Sequence, residues 1–252
     1  MHDPRDVYRA TKKKQDQLFN AYVMRPLAAV VVAVLAPTRV TPNQLTLLNL
    51  FVFVGSTGLF VAMPSWEGGL VAVLVMEASY LFDCADGMLA RFRKTASQTG
   101  HLFDFFTDES KAVLLAACLG VRLFRTGGFG LDGRAWAAGD ARFLLATVAA
   151  TVIVASAISL TNFVRRPELT GKETPVESHY EAQGAAAKPR SLVSQVAGLA
   201  MTFLRFLNHY PSHLYVFALL GRLDAFFWMY CALNALYLAK GWLGLILRFG
   251  RS

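Results

Sequence analysis

Six stretches of this chain, at about 43–63, 68–92, 98–122, 141–164, 192–221 and 224–247, are long enough to cross a bilayer. Apart from a polar patch shared by the second and third, they are also apolar enough. A helix of about 20 residues spans a hydrocarbon core about 30 Å thick. Lipid offers no partner to bare backbone N–H and C=O groups, so spans of this length fold as helices. The sequence therefore predicts an all-α polytopic membrane protein with six transmembrane helices. Its hydrophobic content of 55% exceeds the ~45–50% of soluble domains and points the same way.

The segment ahead of the first span reads differently. Residues 5–20 are polar and basic with Tyr8, Leu18 and Phe19 interspersed. Residues 21–36 are apolar but short, with Arg25 and Pro26 near their start and Pro37 at their end. This predicts one or two helices, an N-terminal interfacial amphipathic helix among them, lying along the membrane surface. A short inserted helix is the alternative. No apolar core follows the first charges closely, so the segment does not read as a signal peptide. Thr41 and Pro42 suit the N-cap and first position of the first span. The expected organisation is one membrane-embedded domain over 1–252. Residues 1–40 would be cytosolic or interfacial, and 41–252 would form the six-helix bundle. The fifth span is interrupted by Pro211, and the five-glycine connection at 126–140 reads as a simple loop.

Basic residues orient the chain. With the N-terminus in the cytosol, segments 1–42, 91–97, 165–190 and 248–252 hold 17 of the 25 Lys and Arg, and the outer segments hold five. That bias places both termini on the cytosolic side of a cytoplasmic-type membrane. The net charge of +8 is then explained by the anionic membrane face, without nucleic acid as a partner. The Lys12–Lys14 run fits the same contact. Cys84, Cys118 and Cys231 are scattered and suggest neither a disulfide framework nor a zinc site.

The polar patch at 83–108, DCADGMLARFRKTASQTGHLFDFFTD, carries four aspartates. Asp83 and Asp86 are i, i+3, and Asp104 and Asp108 are i, i+4, so each pair shares a helix face. A turn at Arg93–Ser97 lets the two faces meet at the cytosolic boundary. Four carboxylates so close repel one another, and ionisable groups within spans are costly and mark function. Divalent metal is the natural relief. An all-oxygen set suits Mg²⁺, Mn²⁺ or Ca²⁺, and carboxylate-held Mg²⁺ commonly serves phosphate chemistry. Gly87 and Ala90 leave room for a ligand near the backbone, and Arg91 adds a phosphate-binding fork. The plainer reading is that the aspartates cap helices or pair with Arg91, Arg93, Lys94 and Lys111. Four of them at these spacings in this setting weigh against it.

Written with gaps, the patch is Asp83-x2-Asp86-Gly87-x2-Ala90-Arg91-x8-Gly100-x3-Asp104-x3-Asp108. It resembles, at every fixed position, the signature of the class I CDP-alcohol phosphotransferases, also called CDP-alcohol phosphatidyltransferases. The six-span layout and preceding interfacial helix are similar too. The resemblance implies transfer of a phosphoryl-alcohol group from a CDP-alcohol, often CDP-diacylglycerol, to the hydroxyl of a second alcohol, with CMP leaving. It implies a two-metal centre of Mg²⁺ or Mn²⁺ held by Asp83, Asp86 and Asp104. Asp108 would lie nearest the acceptor, contacting metal and taking the hydroxyl proton. Gly87, Ala90, Arg91 and Gly100, with Asp83, would line the nucleotide site. A homodimer is a further family expectation. The expected donor is CDP-diacylglycerol and the acceptor a small polar alcohol. A CDP-linked head group given to a lipid or polyol-phosphate is the nearest rival. A divalent-cation channel or transporter is a rival of another class, but it needs acids spread across the bilayer, and these cluster at one edge.

Other residues carry weaker signals. Arg165 and Arg166, at the cytosolic end of the fourth span, either hold an acceptor phosphate or anchor the helix. Glu77 either tunes the site or pairs with Lys240 or Lys111, the pairing being the favoured reading. His209 and His213 are i, i+4, but Pro211 lies between them and packing is the favoured role. Gly55, Gly58, Gly68 and Gly69 are read as points of close helix approach.

Overall fold

The computed structural model describes residues 2–13, 16–166, 198, 203–204 and 206–250. Helices dominate: α1 (Pro4–Thr11), α2 (Asn20–Leu35, opening with a π turn), α3 (Pro42–Ala62), α4 (Trp66–Phe92), α5 (Gln98–Thr126), α6 (Ala141–Val164), α7 (Leu214–Leu219) and α8 (Leu223–Phe249). Four of these, α3, α4, α6 and α8, are long and apolar enough to cross a membrane. The third expected span is the continuous 29-residue helix α5, in which Asp104, Asp108, Glu109, Lys111, Arg122 and Arg125 dilute the apolar run. The fifth expected span lies largely outside the described residues. Its described end is a 3₁₀ turn at Tyr210–Ser212, centred on Pro211, followed by α7.

The start of α3 is a capping box. Gln44 N–H donates to Thr41 Oγ1 at 3.2 Å, and Thr41 N–H donates to Gln44 Oε1 at 2.9 Å. Between α4 and α5 the chain turns through Lys94 at φ 56°, with Thr95 N–H donating to the Ala90 carbonyl at 2.9 Å. That is a Schellman closure with lysine in the left-handed position.

The chain forms two compact units. The first comprises residues up to Ser56 together with Val73–Lys111, and it contains all eight signature positions. Its core joins Ala28, Ala29, Val32 and Ala33 of α2 to Cys84, Ala85, Met88 and Leu89 of α4, with Val7 and Leu45. Small residues let α2 approach closely. At 100° per residue, Cys84, Ala85, Met88 and Leu89 occupy one side of α4, and Asp83, Asp86, Gly87 and Ala90 the other. Packing behind α4 therefore aims the aspartate face away from α2. The α2 end is closed by Arg93, which donates to the carbonyls of Leu35 (2.7 Å), Ala36 (3.1 Å), Thr38 (2.8 Å) and Val40 (2.5 Å). Those acceptors have no partner within the helix.

The second unit holds Thr57–Ala72 and the described residues from Ala112 onward. Buried Arg122 plays the corresponding part at the end of α3, donating to the carbonyls of Phe60, Met63 and Ser65 at 3.0, 2.7 and 2.5 Å. Close approach is also made by glycines that the sequence pattern does not single out. A Cβ at Gly120 would strike the Thr147 side chain, and one at Gly241 would strike Leu160. Gly55 and Gly58 meet nothing within 4 Å, while Gly68 lies against Met63 and Gly69 against Arg122.

The 126–140 connection is not a simple loop. Gly128–Phe129 pairs antiparallel with Ala135–Trp136. Gly127 and Gly133 take positive φ (74° and 71°), which only glycine adopts cheaply. Trp136 anchors the hairpin against Phe143, Trp228 and the Arg142 guanidinium, 4.4 Å above its ring.

Candidate active site

The four aspartates come from two helices that run back along each other from the 93–97 turn. Asp83, Asp104 and Asp108 each bring a carboxylate oxygen within 4.8 Å of the others. Asp86 sits one turn along α4, 3% exposed, and its charge acts on those of Asp104 and Asp83. Exposure rises across the group to Asp108, whose side chain is 51% exposed.

Helix α3 aims these groups. Thr46 Oγ1 donates to Asp86 Oδ2 at 2.5 Å, and Asn49 Nδ2 donates to Asp83 Oδ1 at 2.8 Å. Asn49 is itself held by Ser79, whose hydroxyl donates to Asn49 Oδ1 at 2.6 Å. Asn43, Thr46 and Asn49 recur every three residues along the first half of α3. That recurrence is a signal for a functional face, and a search for charged residues misses it because none of the three is charged. Lys111 enters the sequence reading only as a pairing partner. It donates to Oδ1 of both Asp83 and Asp108 at 2.6 Å. Seven residues after Asp104 and three after Asp108, it lies on the same face of α5.

Among the described residues Asp104 Oδ1 is buried with no hydrogen-bond donor. Three converging carboxylates with one unsatisfied buried oxygen are a donor set that fits a hard divalent cation.

The remaining signature residues surround this cluster. Gly87 leaves space that Arg91 uses: a Cβ there would come 3.4 Å from Arg91 Nη1. The charges of Arg91 and Lys13 act on Asp104. A Cβ at Gly100 would come 3.1 Å from Ser97 Oγ and 3.2 Å from Asn43 Oδ1, so α3 and α5 approach closely there. Ala90 shares the Asp83 face of α4.

The sequence profile of the CDP-alcohol phosphatidyltransferases matches residues 39–247, most of the chain. The chain belongs to that family. No curated protein matches it. Membership makes the chain a membrane transferase of phosphate-containing groups. The family uses CDP-alcohol donors and alcohol acceptors in phospholipid synthesis and is generally dependent on divalent metal.

The weaker candidates fall elsewhere. Arg165, half-buried, closes α6, and Arg166 follows it, exposed; both belong to the second unit. Glu77 does not take Lys111, which is engaged by Asp83 and Asp108. The Glu77 carboxyl oxygens are buried without a hydrogen-bond partner among the described residues. His209 Nδ1 lies 2.6 Å from Ser212 Oγ, and buried His213 stacks on Phe206 and meets Phe217 and Phe226 edge-on. The contacts of both histidines are those of a packed helix break.

Proposed function

We propose that the protein transfers a phosphatidyl group from CDP-diacylglycerol to the hydroxyl of a small polar alcohol, releasing CMP. The observation that carries this reading is the carboxylate trio within 4.8 Å, graded in exposure up to Asp108. Asp83, Asp86, Asp104 and Asp108 would hold two Mg²⁺ or Mn²⁺ ions, which would supply positive charge to the pyrophosphate and to the leaving phosphate of CMP. Gly87, Ala90, Arg91 and Gly100 border the nucleotide. Asp108, the member most open to water, takes the acceptor's hydroxyl proton. The acceptor oxygen then bonds to the phosphorus bearing the diacylglycerol, and the bond from that phosphorus to CMP breaks.

The proposed setting is a single domain of six spans behind an interfacial N-terminal helix, acting as a homodimer. Both termini and the carboxylates face the cytosol. The lipid tails of the donor stay in the bilayer, while cytidine and acceptor arrive from water. Arg165 and Arg166, at the end of α6, are the proposed contacts for an acceptor phosphate.

The test is CMP release by the purified protein with CDP-diacylglycerol and Mg²⁺. Inositol phosphate, inositol, glycerol phosphate and serine are supplied one at a time. CMP together with a new lipid for one acceptor supports the reading and names the product. CMP only from CDP-linked head groups reverses donor and acceptor, and none from either class overturns it.

A further inference from the structure

Beyond the eight signature positions, the carboxylate cluster carries a cation of its own. Lys111 is 2% exposed, and its Nζ lies 2.6 Å from both Asp83 and Asp108. An ammonium persists at that depth only where carboxylates compensate it. The lysine chain is long enough to snorkel toward water, as such side chains do near helix ends. Here the head instead turns inward, bridging α4 to α5 at two of the three carboxylates whose oxygens converge.

We infer that Lys111 is a positioning residue that sets how tightly the cluster holds a divalent cation. This rests on the reading of the cluster as a cation site. Its ammonium fixes the spacing of Asp83 and Asp108, and it competes with the ion for their charge. Lys111 does not replace the ion. Among the described residues Asp104 Oδ1 is buried with no hydrogen-bond donor and stays available. Asp83 is braced from a second side by Asn49, so its oxygen is held by donors from α3 and α5 together. The ion therefore meets carboxylates already placed and already part-neutralised. Like charges a few ångströms apart repel appreciably even at the effective dielectric of a protein surface. The lysine thus weakens cation binding while keeping the ligands in register. A site that must hold its ion and still release a charged product benefits from both effects.

A purely packing role predicts something else. If Lys111 only braced the cluster sterically, removing it would loosen the ligands and weaken cation binding, or leave the affinity unchanged. The experiment is Mn²⁺ binding to the full-length protein in detergent, without donor or acceptor, read from the electron paramagnetic resonance signal of free Mn²⁺. Lys111→Met and Lys111→Gln remove the charge, and Lys111→Arg keeps it. Gln retains two N–H donors toward the same carboxylates, so it carries the comparison if Met fails to fold. The expected result is Mn²⁺ binding at least tenfold tighter in the neutral variants and within about threefold of the parent in Lys111→Arg, following the charge. Unchanged or weaker binding in the neutral variants overturns the inference and leaves the cation site standing. A parent protein that binds no Mn²⁺ overturns both.

Discussion

Asn49 on α3 donates its side-chain amide to Asp83 on α4 across 2.8 Å, with no solvent exposure at the asparagine. Ser79 fixes which way the amide points. Its hydroxyl donates to Asn49 Oδ1 at 2.6 Å, which leaves the nitrogen for the carboxylate. Asp83 is thus oriented by a helix that carries none of the signature. Losing one partner of a buried hydrogen bond costs about 1–3 kcal/mol. Asn49→Ala is expected to lower the unfolding free energy by that order, seen as a lower midpoint, and to reduce CMP release at least tenfold. Ser79→Ala, which touches Asp83 only through Asn49, should lose less. Thermal denaturation and CMP assays on both variants check the ranking; equal activity in Asn49→Ala and parent removes Asn49 from the site.

Arg93 carries a second prediction, on stability. Its guanidinium serves four carbonyls at the end of α2, the helix that packs behind the aspartate face of α4. A planar fork reaches several acceptors at once, and a lysine ammonium does not. Arg93→Met is expected to cost about 1.5–3 kcal/mol, the range for hydrogen bonds from a charged group, because the acceptors are part-buried or, at Thr38, exposed. Arg93→Lys should recover only part of it. Denaturation of the three proteins in one detergent decides this. Midpoints that coincide would mean water serves those carbonyls as well as arginine does.

The convergence of the aspartates is legible in the sequence. Their i, i+3 and i, i+4 spacings place each pair on one face, and the short Arg93–Ser97 turn brings the faces together. The N-cap at Thr41 is equally legible, with Gln44 three residues on completing the box. Other features are hidden for identifiable reasons. Thr46 and Asn49 lie outside the spaced signature, and their partners are 40 and 34 residues away. The pairing of Lys111 with Asp108 three residues before it is legible, but its second partner, Asp83, is 28 residues away. Charge counting assigns Arg93 and Arg122 to one membrane side or the other, yet each spends its donors on backbone carbonyls. The hairpin after α5 is masked by its glycines, which read as loop although Gly127 and Gly133 supply the turns and Trp136 the anchor. Glycine spacing is a partial guide to contact: Gly68 and Gly69 meet Met63 and Arg122, Gly55 and Gly58 face open space, and Gly120, not singled out, meets Thr147.

Metal removal follows from the donor set. Asp83, Asp104 and Asp108 converge, and among the described residues Asp104 Oδ1 is buried with no hydrogen-bond donor. Excess EDTA is expected to abolish CMP release, and Mg²⁺ or Mn²⁺ to restore it. Chelation should also lower the unfolding midpoint, because a ligand bound only by the folded state stabilises it by mass action. Undiminished turnover in excess chelator sinks the divalent-metal reading.

Asp108 allows the chemistry to be separated from binding. It is the most exposed carboxylate of the cluster, and Asp83 and Asp104 converge with it from the buried side. Asp108→Asn keeps the shape and removes the proton acceptor, so donor binding should persist while transfer fails. A positioned general base contributes about 10²–10⁴ in rate. The expected outcome is therefore a loss of that size in kcat, with donor affinity within a few-fold of the parent. Single-turnover CMP release beside equilibrium binding of CDP-diacylglycerol makes the comparison. Parent-like turnover in Asp108→Asn would leave the hydroxyl proton to another group or to water. A parallel loss of donor binding would instead make Asp108 a holder of the pyrophosphate, in common with Asp83 and Asp104.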